Sequence, residues 1–152
     1  MDAENGERPP YAVAGGRNNS EQLFVCRAGD HQQFPGQLSW EGCMTTAGGG
    51  GWRPRLFHHY QVLVNEDGSA RLEWASWRQF TSLSPGAVNI APEIYVAREQ
   101  VEGPSFQGLG GLHLHQQYGL IVVPPSGKKL TSGNLNFCLN RYSLKIKTIF
   151  LL

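Results

Sequence analysis

Apolar and polar residues alternate with a period of two along several short segments. In one of them Tyr60, Val62 and Val64 project to one face and Gln61 and Leu63 to the other. No segment has a convincing 3.6-residue period, and nine prolines interrupt the chain. The pattern predicts an all-β protein built from antiparallel hairpins.

Eight short segments have this strand-like character. They are residues 22–27, 37–40, 42–46, 60–64, 71–77, 93–98, 111–115 and 118–123. The clearest predicted hairpin joins the fourth segment to the fifth through Asp67-Gly68, because glycine readily takes the positive φ of a tight turn. Trp74 lies on an alternating face of the return strand, and we expect it in the core.

Two stretches of the sequence resemble one another. QLFVCRAGDHQQFPGQL at residues 22–38 and EIYVAREQVEGPSFQGLGGL at residues 93–112 share an apolar run, a following arginine and a later Phe-x-Gly. The matched positions are Val25 with Val96, Phe34 with Phe106 and, before the apolar run, Val13 with Val88. Because repeated units that cannot bury their faces alone stack on each other, we predict a pseudo-symmetric tandem repeat.

The predicted first copy spans about residues 11–74 and the second about residues 84–128. The second copy has no counterpart of the YQVLV strand, because TSGNLN stands at the corresponding place. We therefore predict an incomplete second copy, whose face is either open or covered by the C-terminal tail.

Charge divides the chain near the same place. All twelve acidic residues and eight arginines lie at or before position 102, and five basic residues without any acid follow it. We predict a tandem domain over residues 10–128, a polar N-terminal segment 1–9 and an atypical basic, apolar tail 129–152. The net charge of +1 gives no general electrostatic attraction for nucleic acid, so no nucleic-acid partner is expected.

The first ten residues, MDAENGERPP, lack the basic and apolar regions of a secretory signal, and no apolar run approaches the length of a membrane-spanning helix. We expect a cytoplasmic protein without a transmembrane segment, and non-classical release is left open.

Three cysteines are an odd count, so three thiols in a reducing compartment are the simplest interpretation. A Cys26–Cys43 bridge is an alternative that requires an oxidising environment.

Patterns for catalysis and metal binding are weak. The sequence has no G-x-S-x-G, H-E-x-x-H or Cys/His signature and no carboxylate pair marked by spacing, so we predict that the protein is not an enzyme. His113 and His115 would share a strand face, but Cys43 is their only plausible third ligand, and we predict no metal and no cofactor. Trp52 follows a glycine-rich loop and is the best candidate for an exposed side chain that stacks on sugar.

The ordered set of motifs resembles the DM9 repeat domain, also catalogued as a domain of unknown function. AV-x-GG-R, LFVCRA, YQVLV, LEW, IYVAR and GLGGLHLH follow one another between residues 10 and 128. Together they look most like the N-terminal half of natterin-like proteins. The resemblance implies an all-β tandem fold and, in members with this domain alone, mannose-type carbohydrate recognition in innate defence.

The resemblance also implies where sugar would bind. Sugar-binding members offer an Asp after GGR and a Lys in the PGK strand, and Asn18 and Gln37 stand at the matching positions here, with Asn19 beside the first. The second-copy equivalents are Asn89 and Leu109. Hydrogen bonds from charged groups are about twice as strong as neutral ones, so the resemblance implies an altered sugar site.

We therefore predict a non-enzymatic recognition module whose ligand contacts include Asn18, Asn19, Gln37 and Trp52, with a mannose-type glycan as partner. The alternative is a truncated natterin-like toxin or defence protein without the aerolysin-type pore-forming domain, which acts only as a structural or interaction module. A kininogen-cleaving peptidase is a third hypothesis, from an activity assigned to family members. The sequence leaves a homodimer open.

Overall fold

The computed structural model describes residues 3–4, 8–46, 54–68, 70–100, 106–123, 128–140 and 149–151. These residues form fifteen β-strands and one short 3-10 turn, and the strands pair in antiparallel fashion. The predicted all-β class is therefore confirmed. Within these ranges, no helix has the length and apolar character needed to cross a membrane.

The strands follow each other closely along the chain. They are β1 (Ala3–Glu4), β2 (Ala14–Asn18), β3 (Glu21–Ala28), β4 (Phe34–Ser39), β5 (Gly42–Thr45), β6 (Arg55–Phe57), β7 (His59–Val64), β8 (Leu72–Arg78), β9 (Asn89–Ala91), β10 (Ile94–Gln100), β11 (Phe106–His113), β12 (Tyr118–Val123), β13 (Lys128–Ser132), β14 (Asn134–Asn140) and β15 (Ile149–Leu151), and the 3-10 turn is η1 (Glu66–Gly68). Each of the eight segments predicted from alternation overlaps one of these strands.

Hydrogen-bonded neighbours run in the order β6-β5-β4-β3-β2-β11-β10-β14-β8. Off this path, β7 pairs with β1, β3 and β15, β12 joins β11 to β13, and β9 pairs with β10. The first and second parts of the chain meet where β2 pairs with β11, with Asn18 opposite Phe106 and Arg17 opposite Gln107.

One apolar cluster takes residues from both parts of the chain. We call it the central cluster, and it consists of Val13, Leu23, Val25, Leu63, Val88, Ile90, Val96, Leu109 and Cys138. A second cluster lies in the first part of the chain, around Phe24 and Leu38, and a third lies around Trp77 and Phe137. Burial of each large apolar side chain contributes roughly 1.5–3 kcal/mol, so the shared central cluster binds the two parts into one core.

The predicted hairpin between β7 and β8 is wrong. The strands are joined through η1, but β8 pairs with β14, while β7 pairs with β1, β3 and β15. The side chain of Asn65 explains why the hairpin does not continue: its Nδ2 donates to Ala70 O at 2.8 Å, and its Oδ1 accepts from Ala70 N at 2.9 Å. These bonds close a small loop and occupy the backbone groups of Ala70 that a continuing ladder would need.

The predicted boundary at residue 128 is not a boundary of the sheet. Strands β13 and β14 lie beyond it, and β14 sits between β10 and β8. The side chains of Leu135, Phe137 and Leu139 alternate along β14 and are buried in the third cluster. Strand β14 therefore belongs to the sheet and contributes to the core, since it fills the place between β10 and β8.

A disulfide joins Cys26 in β3 to Cys43 in β5, two strands that flank β4. Both cysteines are fully buried, in the cluster that contains Phe24 and Leu38. The interpretation of three thiols is thus wrong for this pair, and Cys138 is the free, buried cysteine.

Replacement of both bridged cysteines, Cys26→Ala with Cys43→Ala, should lower the free energy of unfolding by about 3 kcal/mol, because a loop of this length loses less entropy on folding when it is closed covalently. Urea denaturation followed by tryptophan fluorescence measures the change. A reductant should destabilise the wild type and leave the variant unaffected. Equal stability of the two proteins without reductant would contradict the expected contribution.

The backbone amides of β14 should exchange with deuterium as slowly as those of β10, because both strands have hydrogen-bonded neighbours on each side. Hydrogen exchange with mass spectrometry measures this protection, with the edge strand β6 as the internal comparison. Exchange of residues 134–140 at the rate of an unfolded peptide would place the end of the domain near residue 128 instead.

Candidate functional site

A cleft of about 370 Å³ opens where β3 begins and β4 ends. We call it the first cleft, and its lining consists of Arg8, Glu21, Gln22, Phe24, Leu38, Ser39 and Trp40. It combines an apolar floor, an aromatic rim, a cation, a carboxylate and neutral polar groups. Sites for polar small molecules typically have this mixture of apolar lining and a few directed polar groups.

The floor of the first cleft is held by the strand register. Phe24 in β3 lies opposite Leu38 in β4, and both are buried in the cluster that contains the disulfide. The guanidinium carbon of Arg8 lies 4.3 Å from the centroid of the Phe24 ring, a cation–π contact. Because a guanidinium donates hydrogen bonds in its plane, stacking on Phe24 leaves donors for a ligand at its edge.

Trp40 forms the rim of the first cleft and is 74% exposed. It lies with Glu41 in the tight turn between β4 and β5, which the pairing of Ser39 with Gly42 closes. Gly42 has a φ of 138°, and a Cβ at this position would lie 2.6 Å from Phe57 O, so glycine is required there. A turn of this geometry carries the indole ring out of the sheet, where its face is open to a ligand.

The polar wall of the first cleft comes from the beginning of β3. Glu21 and Gln22 line the cleft, and Glu21 is paired with Asn18 across the β2–β3 hairpin. Asn19 lies in the turn of that hairpin with a φ of 56°, a conformation that asparagine tolerates better than most residues. The predicted contacts Asn18 and Asn19 therefore lie beside the first cleft and outside its lining.

Gln37 was predicted as a ligand contact, but its side chain is buried. It is 7% exposed, and its Oε1 accepts a hydrogen bond from Leu109 N at 3.3 Å. Leu109, the predicted second-copy equivalent, is itself fully buried in the central cluster. The two residues thus meet inside the protein and offer no surface to a sugar.

The strand registers show that the second-copy residue corresponding to Gln37 is Gly111 and not Leu109. Gln37 lies opposite Val25, and Gly111 lies opposite Val96 in the corresponding strands. The sequence QGLGG places glycines on both sides of Leu109, so neither alignment of the two copies is marked by residue type. Because a register shift of two residues keeps every side chain on the same face of the strand, the alternation pattern does not distinguish the two alignments either.

The remaining predicted contacts are separated from the first cleft. Asn89 is exposed in β9 and lines a second cleft with Tyr95, which lies opposite it. Trp52 lies outside the described residues. Trp74 is half-buried against the central cluster, and Arg98 stacks over its ring with a distance of 4.4 Å from the guanidinium carbon to the centroid. Trp77 is buried in the third cluster.

The histidines do not assemble with Cys43. His113 ends β11 and makes an edge-to-face contact with Tyr118 at 5.5 Å between ring centroids, whereas His115 lies in the following turn. Burial lowers the pKa of His113, which favours its neutral form. Cys43 is bonded to Cys26, and no group of three or more metal-binding side chains occurs among the described residues.

Cys138 is the one free thiol of the sequence, and it lies in the central cluster. Burial raises its pKa to about 12, although the nearby Arg98 opposes the shift. The thiol is therefore protonated at neutral pH, and a protonated thiol is a poor nucleophile.

The ligand contacts predicted from the sequence do not include Arg8 or Trp40. Arg8 stood in the segment set apart from the domain, and Trp40 was placed at the end of a strand. The signal for Trp40 is Ser-Trp-Glu-Gly at the junction of two strand-like segments, which is typical of a tight turn that exposes its central residues. Comparisons with protein-family models and with curated proteins returned no match.

Gln37→Lys, which would restore the Lys of the sugar-binding pattern, should destabilise the protein by about 1–3 kcal/mol without strengthening mannan binding above that of the wild type. The substitution removes the acceptor of Leu109 N–H and introduces a cation at a buried position. Urea denaturation and a mannan pull-down measure the two effects. Gln37→Met is the matched control, because it removes the acceptor without adding charge and should cost less. A Lys variant that is fully stable and binds mannan more tightly than the wild type would contradict this expectation.

Proposed function

We propose that this chain is a non-enzymatic recognition module of the DM9 and natterin-like type, which binds mannose-type carbohydrate in innate defence through the first cleft. The observation that carries the proposal is the exposed indole of Trp40 above a cleft that also presents Arg8 and Glu21. An aromatic face suits the apolar C–H face of a hexose, and charged groups form the stronger hydrogen bonds to its hydroxyls.

Backbone hydrogen bonds support the tandem repeat. Val25 N donates to Val13 O at 2.9 Å, and Val96 N donates to Val88 O at the same distance. The sequence comparison matches Val13 with Val88 and Val25 with Val96. The same bond therefore recurs at both matched positions, as a repeat of structure requires.

The turns before these valines also support the repeat. Tyr11 and Gly86 stand at matching positions, each directly before an Ala-Val pair and directly after a proline. Tyr11 has a φ of 63° and Gly86 a φ of 94°. A tyrosine rarely takes this backbone conformation, so its presence at the position matched by a glycine indicates that the turn is imposed by the fold.

Strand pairing supports a second copy that is complete. β3 pairs with β7 through Cys26–Val62 and Arg27–Gln61, and β10 pairs with β14 through Ala97–Phe137 and Arg98–Asn136. β14 thus takes the position in the second copy that β7 takes in the first. We accordingly propose that the second copy extends through residue 140 rather than ending near 128.

A reciprocal pair of contacts supports a two-fold relation between the copies. Gln37 contacts Leu109 through a hydrogen bond, and a Cβ on Gly111 would lie 2.6 Å from Pro35 Cγ. Because the registers match Gln37 with Gly111 and Pro35 with Leu109, a two-fold rotation exchanges one contact with the other. The pseudo-axis then passes between β4 and β11.

The disulfide supports a proposal about the compartment in which this protein acts. Buried bridges of this kind form and persist in oxidising environments. The Cys26–Cys43 bond therefore supports release of the protein from the cell over permanent residence in the cytoplasm. Release is also what a defence protein that binds foreign glycans requires.

Trp40→Ala should weaken mannan binding about tenfold, which corresponds to the loss of one good stacking contact. The substitution should change the free energy of unfolding little, because Trp40 is exposed. Isothermal titration with soluble mannan measures the affinity, and urea denaturation checks the fold.

Glu41→Ala is the matched control for this experiment, because Glu41 shares the turn but does not line the first cleft. Trp40→Phe keeps an aromatic face and should retain part of the affinity. Absence of mannan binding by the wild-type protein would refute the proposal and favour a structural or interaction module.

A further inference from the structure

Phe80 is the most exposed large apolar side chain among the described residues, with 81% of its surface open to solvent. It lies in a tight turn directly after β8, which a hydrogen bond from Thr81 N to Arg78 O at 3.0 Å closes. Phe80 occupies the third position of this turn with a φ of 68°, where glycine or asparagine is favoured. A phenylalanine in this conformation strains the backbone, and its exposed ring gains no packing that would offset the strain.

Hydrogen bonds from neighbouring elements hold Phe80 in this strained conformation. Gln117 Oε1 accepts from Phe80 N at 2.7 Å, and Gln79 Nε2 donates to the backbone oxygen of Gln117 at 3.1 Å. Gln79 N also donates to Gly133 O at 2.8 Å. Strain that the surrounding structure maintains in this way is typical of sites that bind a partner.

The turn that carries Phe80 presents a single charge. Arg78 is exposed, and its guanidinium makes no ion pair with a described residue. Gln79 and Thr81, the other residues of the turn, are exposed and neutral. A surface that complements this turn therefore needs an aromatic or apolar pocket with a carboxylate beside it.

The first cleft has both of these features. Its rim is the exposed indole of Trp40, and Phe24 and Leu38 form its apolar floor. Glu21 also lines the cleft and makes no ion pair with a described residue. Phe80 does not line the first cleft of its own chain, so a second copy is needed to bring the ring and the cleft together.

We infer that copies of this chain associate head to tail, with Phe80 of one copy inserted into the first cleft of another. The phenyl ring packs against the indole of Trp40, and Arg78 pairs with Glu21 of the second copy. Arg8, the other charged group of the cleft, is already stacked on Phe24. The formal net charge of the chain is only +1, so two copies approach each other with little electrostatic repulsion.

The contact joins two different surfaces, so it is heterologous and each copy carries both halves of it. It rests on one aromatic anchor and one ion pair, so the association is weak and depends on protein concentration. It does not depend on the proposed function. If the first cleft does bind sugar, a docked copy and a sugar exclude each other, because both cover the face of Trp40.

The test is analytical ultracentrifugation of the full chain without sugar. The average mass of the wild type should rise with concentration between about 10 μM and 1 mM, the range expected of a weak contact. Phe80→Asn removes the ring but tolerates the positive φ, and it should weaken the association about tenfold or more. Tyr11→Asn is the matched control and should leave the association unchanged, because Tyr11 has a φ of 63° and is 56% exposed but does not line the first cleft.

Mixing two variants tests which surfaces meet. Trp40→Ala impairs the first cleft and keeps Phe80, whereas Phe80→Asn keeps the cleft and lacks the ring. Each variant alone should remain monomeric, and an equimolar mixture should form pairs, because one partner supplies the ring and the other the cleft. A wild type that stays monomeric at 1 mM, or a mixture that stays monomeric while the wild type associates, would overturn the inference.

The thermal midpoint of Phe80→Asn gives a second readout. It should rise by roughly 2–4 °C, because asparagine relieves the backbone strain at this position. A lower midpoint would mean that Phe80 serves the fold instead, and it would count against the inference. Because no sugar is present, the result is independent of whether the first cleft binds mannan.

Discussion

Strands from both parts of this chain bury apolar side chains in the shared central cluster, and this cluster is the contact on which the rest of the structure depends. Val25 and Val96, from the two parts, are both buried there. Polar contacts reinforce the junction, because Arg27 donates from Nη1 to Ile90 O at 2.7 Å across the two parts and from Nε to Gln61 Oε1 at 2.7 Å. Burial lowers the pKa of Arg27, but these two bonds satisfy the donors that burial removes from water.

Much of the fold was predictable from alternation alone, because a sheet with one buried face requires a period of two. The missed strands had weaker signals for identifiable reasons. β2 is AGGRN, too rich in glycine to display alternation, and β6 and β9 are three residues long. β14 does alternate, as NLNFCLN, but its composition differs from that of the preceding chain and wrongly predicts a separate tail. The alternation of apolar positions along β14, and not its residue composition, is what predicts its burial.

Pairing partners and exposure were harder to predict, because both depend on residues distant in sequence. Asp67-Gly68 does form a turn, but β8 does not pair with the strand before that turn. Its partner is β14, which lies far away in the sequence. Gln37 and Trp40 are near neighbours in one segment, and the polar residue is buried while the aromatic one is exposed. A neighbouring strand covers Gln37, and a turn carries Trp40 into solvent, so residue type alone pointed to the wrong member of the pair.

The partnership of β8 with β14 has a consequence for synthesis of the protein. Trp77 of β8 is synthesised before its cross-strand partner, Leu135 of β14. Leu135 leaves the ribosome about 3–12 s later at typical elongation rates. During that interval the edge of β8 that β14 later covers lacks the partner that it has in the described sheet, and unpaired edges of this kind invite pairing with other nascent chains. The order in which the strands are made thus differs from the order in which they pair, and β8 reaches its final pairing only after β14 has left the ribosome.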